Sequence, residues 1–307
     1  MSSLSVKWFV IINPTSGNGK SKKKWPKIKE LLELNGFDFE FAFTEYSKHS
    51  ILLVHRAIEN NFTHIICVGG DGTLHNIVNG IMSQNKMPAK SIHVGMIPIG
   101  TGNDWVKTHQ IPTAINSAID TILKGDVSCQ DIGKIELLNQ TSKPVYFNNL
   151  AGVGFDGYVA NKVHKYKYLG AFSYLFGALI GLFSFKNFSA IVSVGPNKYA
   201  NKNLMILVGL CKYSGGGMRL TKDPNPFDGF FDISIAHHLN KVEIIKNSGR
   251  LFNGKIVFNK KVTTLKASAV DVEVNENDSL FIQADGEIIG SGGFKATIIP
   301  RAFSFYS

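Results

Sequence analysis

Residues 64–81 read HIICVGGDGTLHNIVNGI. His64–Val68 is an apolar run of strand length, Gly69-Gly70-Asp71-Gly72 breaks it, and Thr73–Ile81 resumes at helical spacing. Consecutive glycines after a strand let the backbone turn tightly and bring N–H groups close to a phosphate. The helix that follows points its unpaired amino-terminal donors into the same space. An aspartate between two glycines has no packing role there and is placed to meet Mg²⁺ or to organise phosphates. As a plain turn, the same residues would only cap the helix.

The pattern repeats on either side. Val6–Ile12 reads as a buried strand stopped by Asn13-Pro14, Lys22–Leu34 as a helix ended by Gly36, and Phe37–Phe43 as a second strand. Lys48–Glu59 is a second helix, and His93–Ile97 a fourth strand ending in Pro98. This βαβα order predicts an open, mostly parallel α/β sheet with helices on both faces, whose ligands bind at the carboxyl ends of the strands. Those ends carry Asn13-Pro14-Thr15-Ser16-Gly17, Thr44, the Gly69–Thr73 loop and Pro98-Ile99-Gly100-Thr101-Gly102-Asn103-Asp104. Loops after nearby parallel strands lie side by side, so Asp71 and Asp104 are expected to share one pocket. Gly17-Asn18-Gly19-Lys20-Ser21 is not a P-loop, because the required earlier glycine is Pro14.

From about Cys129 the pattern becomes short apolar runs: Asp131–Leu137, Val145–Leu150, Ala190–Val194, Leu204–Cys211, Phe230–Ala236, Val262–Ala267, Asp271–Val274, Leu280–Gln283 and Phe294–Ile299. Only helices over Asn161–Phe185 and Lys241–Leu251 interrupt them. This composition predicts a mainly antiparallel β-sandwich or barrel as a second domain. The expected division is 1–128, 129–295, and a segment 296–307 with the option of returning to the first domain. Ala284-Asp285-Gly286-Glu287 reads as a hairpin tip, for which Asp-Gly is the commonest turn chemistry. It also supplies a sharply placed carboxylate of the kind a phosphoryl acceptor's hydroxyl needs. Asp228-Gly229 is a comparable turn, and His237-His238 reads as a strand end rather than a metal site.

The 307 residues are 44% apolar and carry a formal net charge of +10, which favours anionic partners. Six lysines between Lys20 and Lys29 (Lys20, Lys22, Lys23, Lys24, Lys27 and Lys29) form a solvated helix face suited to anionic lipid. They lack interleaved aromatics, so nucleic acid is not an expected partner. Cys67, Cys129 and Cys211 have neither metal spacing nor a disulfide framework and read as reduced thiols of a cytoplasmic protein. The amino-terminal apolar run is too short for a signal peptide. Tyr168–Phe185 holds no charge and is long enough to span a membrane. Its three glycines and its basic lead-in from Asn161 to Lys167 instead favour a core helix or one that touches lipid without crossing.

Asn13–Gly17, Gly69–Thr73 and Pro98–Asp104 together resemble the diacylglycerol kinase catalytic domain of bacterial soluble lipid kinases, a family related to sphingosine and ceramide kinases. The nucleotide domain of that family is NAD-kinase- and phosphofructokinase-like. Asp285-Gly286-Glu287 is similar to the family's catalytic turn, and Gly215–Phe230 to its glycine-rich, metal-bearing segment. The resemblance implies ATP against Asn13 to Gly17, Thr44, Gly70 to Asn76, and the Gly100, Thr101 and Asn103 loop. It implies Mg²⁺ organised by Asp71, Asp104 and Asp131, with Asp285 or Glu287 as the base. It also implies a structural Mg²⁺ held by Asp228 with backbone oxygens of Asn225 and Phe230. The family commonly has Asn-Glu where this chain has His75-Asn76, which puts nucleotide contacts and preference in question. The expected activity is phosphoryl transfer from ATP to a diacylglycerol-like lipid by a cytoplasmic enzyme resting peripherally on anionic membrane. A homodimer is left open. The alternatives are a sphingoid-base or ceramide-type kinase, an NAD or sugar kinase, and a lipid-binding regulatory protein with an inactive kinase fold.

Overall fold

The computed structural model describes residues 6–138, 140–163, 185–238, 241–275 and 280–307. The chain divides into two compact units, one ending at Gln130 and taking in Arg301–Ser307, the other Asp131–Pro300.

In the first unit the apolar runs become β1 (Lys7–Ile12), β2 (Asp38–Phe43), β3 (His64–Gly69) and β4 (His93–Pro98). Between and after them lie α1 (Lys20–Leu34), α2 (His49–Glu59), α3 (Asp71–Ser83), the short α4 (Asp104–Thr108) and α5 (Ile115–Lys124). The strands pair in parallel in the order β2-β1-β3-β4, with Ile12 beside Val68 and Val68 beside Ile97. A parallel sheet covered on both faces buries successive side chains, which is why these strands are near-continuous apolar runs. Val10, Ile12, Ile66, Val68 and Ile97 pack with Ile28 and Leu32 of α1 and Ile119 and Ile122 of α5 in one buried cluster. α2 and α3 approach closely at Gly80, where a β-carbon would stand 2.7 Å from the Val54 side chain. α3 begins at Asp71 rather than at the expected Thr73. Gly70, extended at φ −116°, is the cap, and Asp71 occupies the first turn, where an acid suits the positive end of the helix.

The second unit contains most of β5 (Val127–Leu137), then β6 (Val145–Phe147), β7 (Leu150–Gly154), α6 (Phe155–Val163), β8 (Phe188–Val194), β9 (Asn197–Gly209) and β10 (Phe231–His237). These are followed by α7 (Lys241–Asn253), a 3₁₀ turn over Lys255–Phe258, β11 (Val262–Ala267), β12 (Ala269–Val274), β13 (Phe281–Ala284), β14 (Glu287–Ser291) and β15 (Phe294–Tyr306). The pairing here is antiparallel, as the alternating runs predict. β9 pairs with β8 through Asn197–Asn203, and its second half with β7 on one side and β10 on the other. The single strand expected over Val145–Leu150 is two strands, β6 and β7, because the Asn148 and Asn149 amides turn out of the ladder toward the Asp285 carboxylate.

β15 begins antiparallel to β12 and ends with Ser304 and Phe305 parallel to His93 and Val94 of β4. The first unit's sheet thus gains a fifth strand from the last residues of the chain. Of the expected helix over Asn161–Phe185, the described part is the end of α6, which starts earlier, at Phe155. Most of the apolar stretch Tyr168–Phe185, all but Phe185, lies outside the described residues, as does the lead-in from His164 to Lys167. Among the described residues no helix is long and apolar enough to cross a membrane. The three cysteines are free thiols, Cys67 and Cys211 buried and Cys129 donating to the Arg301 carbonyl at 2.9 Å. His237 ends β10, its Nε2 2.9 Å from Thr263 Oγ1, and His238 follows at φ 47°.

Candidate active site

In the strand order β2-β1-β3-β4 the direction of winding reverses between β1 and β3, so the loops at their carboxyl ends flank a crevice. Those loops are Asn13–Gly19 and Gly69–Thr73, and side chains tie them together. Asn13 Nδ2 donates to Thr73 Oγ1 at 3.0 Å, and Ser16 Oγ lies 3.5 Å from the same oxygen. Asn13 Oδ1 meanwhile accepts from the amide and hydroxyl of Thr15, which fixes the turn at Pro14. Gly17 turns at φ 60° against the Ile99 carbonyl. Thr44, at the end of β2, donates its amide to the Ile12 carbonyl at 2.8 Å.

The loop after β4 closes on the same place, and the glycines explain how. A β-carbon on Gly69 would stand 2.5 Å from Thr73 Oγ1, and one on Gly100 would stand 2.8 Å from the Gly70 Cα. The two loops therefore touch backbone to backbone, which only glycine allows. Asp71 bridges them. Its carboxylate accepts from the Asp104 amide at 3.1 Å and the Trp105 amide at 3.4 Å, capping α4 from across the gap. Asp104 is 4% exposed, with Oδ1 3.6 Å from Lys107 Nζ. The Oδ2 atoms of Asp71 and Asp104 both face the bare Cα of Gly102, 3.3 and 3.7 Å from where a β-carbon would lie. Asn103 supplies the αL cap of α4 at φ 50° and donates to the Gly100 carbonyl. Thr101 is exposed. His75 is buried and interacts with Asn79, whereas Asn76 is partly open to solvent.

In the second unit, Asp285 (φ 51°) and Gly286 (φ 83°) form the tip between β13 and β14, the double positive-φ turn that Asp-Gly favours. The Asp285 carboxylate also accepts three main-chain amides, Asn148 at 3.1 Å, Asn149 at 2.9 Å and Leu150 at 3.1 Å. Its own amide donates back to the Leu150 carbonyl at 2.8 Å. Glu287 starts β14 opposite Ala284.

Behind this turn stands a residue that sequence reasoning missed. Asp156, in the first turn of α6, accepts from Gln283 Nε2 at 3.0 Å, and Gln283 Oε1 accepts the Gly286 amide at 2.8 Å. Asp156 Oδ1 is shut from solvent without a hydrogen-bond partner among the described residues, and burial pushes its carboxyl up to about 6. Its signal was present in the sequence: Gly154-Phe155-Asp156-Gly157 sets an aspartate beside glycine after a strand, as Gly70-Asp71-Gly72 does.

Asp131 is fully buried and accepts the Gly229 amide at 2.7 Å, while its own amide donates to the Pro226 carbonyl. Asn225 Oδ1 accepts from the Phe227 amide, and Asp228 Oδ1 from the Phe230 amide. Asp228 Oδ2 lies 2.7 Å from Lys266 Nζ, which also stands 3.7 Å from Asp232 Oδ2. The hydrogen bond to Asp228, with the charges of Asp232 and Asp223, raises the Lys266 ammonium above its ordinary range.

A model of the diacylglycerol kinase catalytic domain matches residues 7–135, and one of the YegS C-terminal NAD kinase beta sandwich-like domain matches 149–307. A diacylglycerol kinase of Staphylococcus carnosus is 30% identical over 283 residues, spanning 92% of this chain and 88% of its own length. The chain belongs to the diacylglycerol kinase family. A second relative of that name, from Staphylococcus saprophyticus, matches to the same extent. A crystal structure of a diacylglycerol kinase from Bacillus anthracis superposes with a TM-score of 0.73 at 21% identity, over 99% of this chain and 98% of the other, which bears on the fold alone. Membership of this family implies a lipid kinase with a nucleotide donor, and with the nucleotide a divalent cation.

The residues of the first unit fit such a cation. Mg²⁺ takes one or two carboxylates and completes its shell with substrate phosphates and water. Asp71 and Asp104 are such a pair, and among the described residues no cluster of three or more acidic, histidine or cysteine ligands exists. At the loop around Asp228 the Lys266 ammonium already meets the carboxylate, so a structural divalent cation there would have to displace it.

Proposed function

We propose that this diacylglycerol kinase family member transfers the γ-phosphoryl group of ATP to the hydroxyl of a diacylglycerol-like lipid at a membrane surface. The observation that carries the reading is the Asp71–Asp104 pair, brought together by two glycine loops in backbone contact beside the reversal point of a parallel sheet. Phosphoryl transfer asks a protein chiefly for positioning, charge neutralisation and a base. Asn13 to Gly17, Gly70 to Asn76 and Gly100 to Asn103 would cradle the phosphates with main-chain amides and short hydroxyls. Bound Mg²⁺ would neutralise charge on the transferring phosphoryl group, and Asp71 and Asp104 would hold it.

In the transfer, the lipid oxygen bonds to the γ-phosphorus as the bridge to the β-phosphate breaks, and the hydroxyl proton leaves for a carboxylate. Asp285 or Glu287 would take that proton, and the three amides on the Asp285 oxygens also give Asp285 the part of holding the turn. Purified protein with labelled ATP, Mg²⁺ and mixed micelles of diacylglycerol, sphingosine, NAD or glycerol tests the reading. Label is expected in the diacylglycerol. Label in another acceptor would reassign the substrate, and label in none would favour a lipid-binding protein without transfer. Glu287→Gln is expected to lower turnover at least a hundredfold with nucleotide binding retained; unchanged turnover would remove Glu287 from the base role.

A further inference from the structure

α7 presents large apolar side chains to solvent. Val242, Ile245 and Phe252 are 59%, 47% and 46% exposed. With Gly249, around whose Cα there is open space, they recur at intervals of three and four residues and so form one stripe. Glu243, Asn247 and Leu251, spaced by four, lie on the opposite side and are partly covered. That side is tied down. Glu243 is paired with Lys261 at 2.7 and 2.8 Å, Asn247 Nδ2 donates to the Glu243 carbonyl, and the Leu251 carbonyl accepts the Arg219 amide at 2.7 Å. The helix thus turns Val242, Ile245 and Phe252 to solvent. The 3₁₀ turn beyond it buries Ile256 and Val257 and leaves Phe258 73% exposed.

The surroundings of this stripe select its occupant. Lys246, Arg250, Lys255 and Lys260 are all exposed. Residues 241–260 carry five basic residues and a single acid, Glu243, whose charge Lys261 already answers. A second copy of the chain docking here by two-fold symmetry would set like patches face to face, cation against cation. An apolar stripe flanked by cations instead matches the boundary between acyl chains and anionic headgroups.

We propose that the outer face of α7, continued by Phe258, is the surface through which the chain docks on an anionic bilayer. The proposal extends the lipid-kinase reading, which needs access to an interface, but its test reads binding alone. The full chain is sedimented with vesicles of phosphatidylglycerol and phosphatidylcholine, and with phosphatidylcholine alone. Binding to the anionic vesicles is expected, weakened by salt. The Val242→Ser, Ile245→Ser, Phe252→Ser variant is expected to lower the partition coefficient at least tenfold with an unchanged melting temperature. Lys246→Glu with Arg250→Glu should do the same. As a second measure, Phe252→Trp is expected to show an emission blue shift on adding anionic vesicles.

Equal partition of the serine variant and the parent, or no blue shift, would overturn the proposal. So would a parent dimer that the serine variant dissociates while vesicle binding stays the same. Transfer to a short-chain diacylglycerol dispersed below its micelle concentration should be unaffected by the serine changes. Loss of that transfer in the parent would count against the kinase reading, not against the docking face.

Discussion

Replacing Asp285 with alanine removes one acceptor from three main-chain amides at once. Asn148, Asn149 and Leu150 are buried, so water cannot take over the lost bonds without rearrangement of the turn. Each buried donor left without an acceptor costs about 1–3 kcal/mol. Partial rearrangement brings the sum for three to roughly 3–6 kcal/mol, a large share of the ~5–15 kcal/mol that holds a typical domain together. Alanine also tolerates the left-handed backbone at position 285 less well than aspartate does, which adds to the loss. For a unit of this size the expected fall in melting temperature is about 10–20 °C. Asp285→Asn keeps an acceptor for the Asn149 and Leu150 amides but would turn an NH₂ toward the Asn148 amide, so its loss should be intermediate. Calorimetry gives the melting shift, and hydrogen-exchange mass spectrometry over residues 145–154 shows whether the three amides lose protection. If Asp285→Ala melts within 2 °C of the parent and exchange at these amides is unchanged, the carboxylate does not hold the turn and the reasoning fails.

The remaining expectations concern both units. Gly100→Ala drives a β-carbon into the Gly70 backbone and the Asn103 amide, so a loss of about 1–3 kcal/mol and at least tenfold weaker binding of an ATP analogue are expected, the latter read by titration calorimetry. Lys266→Ala should cost no more than about 1 kcal/mol, because the pair is partly exposed. The parent's melting temperature should not respond to Mg²⁺ or chelator through this loop, and a Mg²⁺-dependent rise that persists in Asp71→Ala would contradict that. Asp156 holds its proton in the folded chain up to a pH of about 6, against 3.8 ordinarily, so stability falls as the pH rises from 3.8 through about 6 and levels off above. Lowering the pH from 7 to 5 should therefore stabilise the parent by about 1 kcal/mol relative to Asp156→Asn, as measured by denaturant melts at the two pH values.

What could be read in advance followed the reach of local signals. The strands of the first unit were visible because both of their faces are buried, and an apolar run such as Phe9–Ile12 has little alternative use. The meeting of Asp71 with Asp104 followed from strand order, since loops after neighbouring parallel strands must be adjacent. How they meet did not follow. That the Asp71 carboxylate caps α4 depends on a contact 33 residues away that no local pattern encodes. Asp285 shows the same division. Its turn was legible from Asp-Gly, but its hold on the Asn148–Leu150 amides, which splits an expected strand in two, joins segments about 135 residues apart. Lys266 looked like any strand lysine until Asp228 and Asp232 were placed around it.

The path of β15 bears on the order in which the molecule can be finished as it is synthesised. The first unit's sheet needs Ser304 and Phe305 beside β4, and Ser307 donates its amide to the Asp126 carbonyl. These residues leave the ribosome only after all of 131–300 has been made. Until then, the edge of β4 that faces β15 is without its partner, the kind of open strand that invites pairing with a foreign chain. Folding one unit to completion before the next emerges is therefore closed to this topology, and a fragment cut after residue 130 should be prone to aggregate rather than behave as a free-standing nucleotide-binding module.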